Sequence, residues 1–92
     1  MTDQEWSLSI RKKFPICVRC KTEPSTDAAH IIPKSVAPEL RHDLDNGLGL
    51  CRLCHERCDH FDRDEIIEVA KSVIGEDRVS KLLNRRYKKE EL

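Results

Sequence analysis

Asp45-Asn46-Gly47-Leu48-Gly49-Leu50-Cys51-Arg52-Leu53-Cys54-His55 is the stretch on which the fold turns. It passes from a turn signal through a short apolar segment into a C-x-x-C pair, with a histidine directly after it. Upstream, Cys17-Val18-Arg19-Cys20 repeats the spacing, and Ala29-His30-Ile31-Ile32-Pro33 sets a second histidine among apolar residues. Two C-x-x-C pairs are what one tetrahedral zinc requires. The two histidines are then left over, and histidines beside a built metal scaffold are candidates for chemistry because imidazole changes charge near neutral pH.

Working outward, residues 47 to 50 read as a short strand with Asn46-Gly47 supplying turn chemistry at its start. Residues 27 to 32, stopped by Pro33, read as its partner, so the two form a hairpin with a long connection over residues 33 to 46. Residues 52 to 60 contain no breaker and no β-branched side chain, which predicts a helix starting on the second cysteine pair. Strand, strand and helix then surround one metal. Before them, Thr2 and Glu5 form a capping-box pattern, and Trp6, Ile10 and Phe14 recur at helical spacing, predicting a helix over residues 3 to 13. After them, Asp62 with Glu65 repeats the capping pattern. Ile66, Ile67, Ala70, Val73 and Ile74 make an apolar stripe ended by Gly75, and Val79, Leu82, Leu83 and Tyr87 make another. These two helices should fold back as a pair onto the core, or onto a partner protein or second copy of the chain. The expected class is α+β: one domain over residues 1–92, with a core over about 14–62 and a helical extension over about 62–90.

Composition agrees with a metal-stapled chain. Ninety-two residues with four aromatics and a mean hydropathy of −0.62 cannot bury a large core, so a bound metal is expected on stability grounds. Five cysteines are an odd count for a disulfide framework and no apolar signal segment opens the sequence, which points to a reduced, cytoplasmic setting. No apolar run approaches the roughly 20 residues of a membrane span. Net charge is zero but unevenly spread: Arg11, Lys12, Lys13, Arg19 and Lys21 form one basic block, Lys81, Arg85, Arg86, Lys88 and Lys89 another, and the middle is acidic. Such a pattern suits phosphate contacts at the flanks and a cation in the centre; solvated helix faces would look the same.

Cys17, Cys20, Cys51 and Cys54 are the candidate zinc ligands, with the second pair at a helix start that favours thiolate. Cys58, four residues after Cys54, reads as a small buried residue, with a spare ligand as the alternative. His55 points about 100° away from Cys54 around the helix, and Asp59 shares its face, so together they can hold a second divalent cation. His60 lies off that face. His30, held among apolar residues at a strand end, suits a general base, or else a satisfied core histidine.

Taken together, C-V-R-C, A-A-H-I-I-P, D-N-G-L-G-L-C and C-H-E-R-C-D resemble the HNH endonuclease family over about residues 6 to 62, in particular members that write A-A-H-I and N-G-L. The resemblance implies a treble-clef-like ββα-metal fold and a prokaryotic or phage-encoded, metal-dependent hydrolase that nicks or cuts double-stranded DNA with low sequence specificity. By the same resemblance His30 is the general base, Asn46 ties the hairpin loop, His55 binds the catalytic cation (Mg2+, Mn2+, Ni2+ or Zn2+), and the four cysteines hold structural zinc. Arg11, Lys12, Lys13, Arg52, Arg57, Arg85 and Arg86 are the expected phosphate contacts. One departure is Ala29, where many members carry Asp or His as a second cation ligand. Asp59 is then the first replacement and Asp27, on the strand face of position 29, the second. The competing readings are a non-catalytic zinc module that binds nucleic acid or protein, and an assembly protein docking through its C-terminal helix pair.

Overall fold

Thr2 caps the first helix: its hydroxyl accepts from the Glu5 N–H at 3.1 Å, and the Glu5 carboxylate accepts from the Thr2 N–H at 3.0 Å. In the computed structural model, which describes residues 1–60 and 63–91, helix α1 follows over Asp3–Lys13, as the spacing of Trp6, Ile10 and Phe14 predicts. The side chains of residues 59, 60, 63 and 85–91 fall outside the described ones, as does Asp62 with its capping pattern. Strands β1 (Asp27–His30) and β2 (Gly47–Leu50) form an antiparallel pair, with Asp27 opposite Leu50 and His30 opposite Gly47. Helix α2 covers Arg52–His60, α3 Arg63–Ile74 and α4 Glu76–Glu91.

Strand β1 stops two residues earlier than the apolar run suggests. The N–H of Ile32 is captured by the side-chain oxygen of Asn46 at 2.7 Å, which turns Ile31 and Ile32 out of the ladder and into the core. The long connection is not featureless either: Pro38–Leu40 makes a single 3-10 turn with proline at its start.

The hairpin has two unlike faces because strand side chains alternate. On one, Ala29, Leu48 and Leu50 enter a cluster of buried side chains with Cys58, Ile66, Ala70, Val79 and Leu82. The other carries Ala28 and His30 with Gly49 and Gly47 opposite, and α1 lies against it. A Cβ on Gly47 would stand 2.7 Å from both Trp6 and Ile10, and one on Gly49 would stand 2.6 Å from the carbonyl oxygen of Phe14. The missing side chains let α1 press onto the hairpin, burying Trp6 and Ile10, each stabilising by about 1.5–3 kcal/mol. Gly47 is therefore needed for close approach rather than for a turn; its φ is not positive.

Gly75, at φ +97°, makes the joint between α3 and α4. Ile66 and Ala70 on α3 and Val79 and Leu82 on α4 are buried in the same cluster as Leu48, so the described part of the helix pair folds onto the core. The class is α+β, with two antiparallel strands and four helices among the described residues in the order of a ββα fold. No helix among them is long and apolar enough to cross a membrane.

Candidate metal centre and catalytic site

The first cysteine pair sits in a tight hairpin closed by a bridge between Ile16 and Pro24. Cys17 donates its N–H to the Glu23 carbonyl at 2.8 Å, and the Lys21 N–H reaches back to the Cys17 carbonyl at 2.9 Å. Lys21 takes a left-handed conformation, φ 62°, to reverse the chain after Cys20. The second pair straddles the start of α2. The sulfur atoms of Cys17, Cys20, Cys51 and Cys54 all lie within 4.8 Å of one another. A tetrahedral zinc with bonds near 2.3 Å separates its sulfurs by about 3.8 Å, so one ion fits after a small contraction.

The donor set has the electrostatics of a site built for a cation. Burial pushes the Cys54 thiol up to about 12, against the pull of Arg19. Hydrogen bonds from the Thr22 side chain and backbone hold Cys20 at about 6. At Cys17 burial is outweighed by backbone N–H groups of Cys20, Cys51 and Arg19, and the net shift is downward. Four sulfurs at this spacing cannot all ionise without a positive ion between them, and the raised Cys54 reflects that as well as its burial. Cys58 is buried but lies outside the four-sulfur group, as expected of a packing residue.

Arg19 was not legible as part of this centre. Its Nη1 donates to Cys54 Sγ at 3.4 Å while its Nε pairs with Glu65 on α3, which keeps the guanidinium firmly protonated. The cysteine centre is thereby tied to the C-terminal helices.

His30 stands at the end of β1, half-buried. Its Nε2 lies 2.9 Å from the Arg41 carbonyl oxygen, an atom that can only accept, so Nε2 carries the proton of the neutral ring. Burial lowers its pKa, opposed by that carbonyl, and the net value falls below the ordinary 6.5. Asn46, fully buried, accepts from the Ile32 N–H and donates through Nδ2 to the carbonyls of Ile32 and Leu40, each at 3.1 Å. These bonds close the connection that carries Arg41.

His55 lies across from the other end of β1. Its Nδ1 is 2.9 Å from Asp27 Oδ2, and the Arg52 Nε donates to the same oxygen, also at 2.9 Å. Burial would raise the Asp27 carboxyl, but His55, Arg52 and Thr26 together hold it below its usual range. At 2.9 Å apart, His55 Nδ1 and Asp27 Oδ2 are two donor atoms that could hold a single divalent cation between them. Ala29 lies on the same strand face with nothing to offer a metal. Of the two carboxylates proposed to replace it, Asp27 is the one placed against His55, and the Asp59 side chain lies outside the described residues.

The basic residues are less concentrated than their sequence blocks. Arg52 is 70% exposed apart from its bond to Asp27. Arg57 lines a shallow cavity of about 360 Å³ with Arg19, Leu53, Cys54 and Glu56. Arg11 reaches back to the Ser7 carbonyl, and Lys13 lies over the Phe14 ring; Lys12 is exposed, and the side chains of Arg85 and Arg86 are not among those described.

Three residues escaped sequence reasoning. Asp3 binds Arg41 at 2.8 and 2.9 Å and His42 at 2.7 Å, which together hold its carboxyl at about 2. Their signal is long-range and leaves no local pattern.

No curated protein and no solved structure matches the chain. A family model described as HNH endonuclease matches residues 17–63, which include both cysteine pairs, His30, Asn46 and His55. With this match over half of the chain on a ββα framework that can hold a metal, the protein belongs to the HNH endonuclease family, which supports a function of the nuclease type.

Proposed function

We propose that the protein is a metal-dependent endonuclease that hydrolyses phosphodiester bonds of double-stranded DNA, with His30 as general base and His55 and Asp27 as the ligands of the catalytic cation. The observation that carries this reading is His30: a neutral, oriented imidazole whose Nε2 proton is tied to the Arg41 carbonyl. Its Nδ1 is then the nitrogen able to take a proton from an attacking water. The lowered pKa keeps that nitrogen bare at neutral pH. Asp27 and His30 belong to the same short strand, about 10 Å of backbone apart, and His55 reaches Asp27 from α2.

When bound, a divalent cation (Mg2+, Mn2+, Ni2+ or Zn2+) supplies charge stabilisation at the phosphate and at the leaving oxygen. His55 and Asp27 hold it, and Asn46 keeps the connection closed so that the base does not swing away. The exposed Arg52 and Arg57 grip phosphates on either side without reading bases, which suits low sequence specificity. The four cysteines bind structural zinc, which secures the start of α2 and so the position of His55.

The test is conversion of supercoiled plasmid to nicked and linear forms by chelator-washed protein, with magnesium, manganese or nickel restored, beside His30→Ala. Cation-dependent cutting that disappears in the variant is the expected result. A protein that retains one zinc per chain yet cuts DNA with none of these cations would instead be a non-catalytic zinc module.

A further inference from the structure

Helix α1 precedes the matched family region, yet one of its side chains lies against His30. The Trp6 indole stacks on the His30 imidazole with ring centroids 4.1 Å apart and planes within 8°. The same indole donates Nε1–H to the Asp43 carbonyl at 2.9 Å and is 3% exposed. Asp43 lies two residues beyond Arg41, whose carbonyl binds His30 Nε2. One turn earlier on α1, Asp3 fixes the Arg41 guanidinium and the His42 ring. Directly across the ladder from His30 is Gly47, where a Cβ would strike Trp6 at 2.7 Å.

Resting on the reading of His30 as base, we infer that Trp6 is a positioning residue for it. The indole face sets the plane of the imidazole, and the indole N–H holds the connection whose Arg41 carbonyl selects the Nε2–H tautomer. Among the described residues His30 Nδ1 has no hydrogen-bond partner, so the stack and the carbonyl leave one ring nitrogen available to a water. A flat π-face suits this task. It restrains tilt without offering a donor or acceptor that would compete for Nδ1. Gly47 makes room for it.

The experiment is nitrogen-15 NMR of the His30 ring in zinc-loaded protein, read beside single-turnover cleavage, for wild type, Trp6→Phe and Trp6→Leu, the last also combined with His30→Ala. Wild type should show the Nε2–H tautomer and ring protons shifted upfield by the indole. Trp6→Leu should lose the upfield shift, mix the tautomers and slow the bound-state rate about 10- to 100-fold with KM nearly unchanged. Trp6→Phe, which keeps a ring but not the N–H, should fall between, and it carries the test if the leucine variant does not fold. In a His30→Ala background Trp6→Leu should have no further effect on rate. An Nδ1–H tautomer in wild type, a ring signal indifferent to Trp6, or a loss confined to KM would overturn the inference. A wild type that cuts no DNA would overturn the role of His30, while the ring signals would still decide whether Trp6 sets its plane and tautomer.

Discussion

Asn46 and Ile32, fourteen residues apart, are joined by both polar groups of one buried amide: the Ile32 N–H donates to Oδ1 at 2.7 Å and the Ile32 carbonyl accepts from Nδ2 at 3.1 Å. The amide also reaches the Leu40 carbonyl, so a single side chain closes the long connection from inside. Asn46→Ala should leave the Ile32 N–H and carbonyl without the buried amide, with the Leu40 carbonyl keeping only the Asp43 N–H, and destabilise the zinc-loaded protein by about 2–4 kcal/mol. Urea unfolding reads the loss. Asn46→Asp should be no better, because a carboxylate would face two carbonyl oxygens.

His30→Ala should abolish cleavage while leaving zinc content and fold intact. In wild type the pH dependence follows from the downward shift of His30. The base is active when neutral, so the rate should fall as pH drops, with its midpoint below the ordinary imidazole value of 6.5. Stability has the same sign. Between the two values the unfolded chain is protonated at this residue and the folded one is not, so its contribution is present above 6.5 and lost as pH falls through the lowered value. A rate profile whose acid midpoint lies above 6.5 would contradict the assignment.

Asp27→Asn keeps an acceptor for Arg52 and nearly the same shape, so the fold should persist. The charge that draws a cation to His55 is gone, and about 10- to 100-fold more manganese should be needed for half-maximal cleavage. A cation titration of the cleavage rate distinguishes this from a general loss of activity, which added metal would not restore.

Cys51→Ser or prolonged chelation should unfold the protein rather than merely inactivate it. Structural zinc in small domains contributes roughly 10–16 kcal/mol of apparent binding energy, as much as the whole stability of a typical domain. Circular dichroism should show loss of helix as zinc is withdrawn and its return when one equivalent is restored.

The elements of this fold were largely legible because their signals are local. The Thr2 capping box, the stripe of Trp6 and Ile10, the C-x-x-C spacing and the unbroken helix after Cys51 each lie within a dozen residues and reappear where expected. What was hidden is set by tertiary proximity. Asp27 ranked behind Asp59 because helical spacing puts Asp59 beside His55 in sequence, whereas the contact with Asp27 crosses from strand to helix. Trp6 read only as part of the first helix's apolar spacing, since nothing local says that its ring lies against His30. Asn46 was expected to tie the loop only through the family resemblance, and Gly47, read as a turn residue, is a gap for α1. Arg19 counted among the basic residues, while in space it is a bond between a cysteine sulfur and helix α3.

The grip of Asp3 on Arg41 and His42 is made on the surface, by an exposed carboxylate. Dissolved ions weaken such pairs as they weaken contacts between arginine and phosphate. On the proposed function, ionic strength should then act twice, once by loosening the hold on DNA and once, with the substrate already bound, by letting the carbonyl behind the base drift.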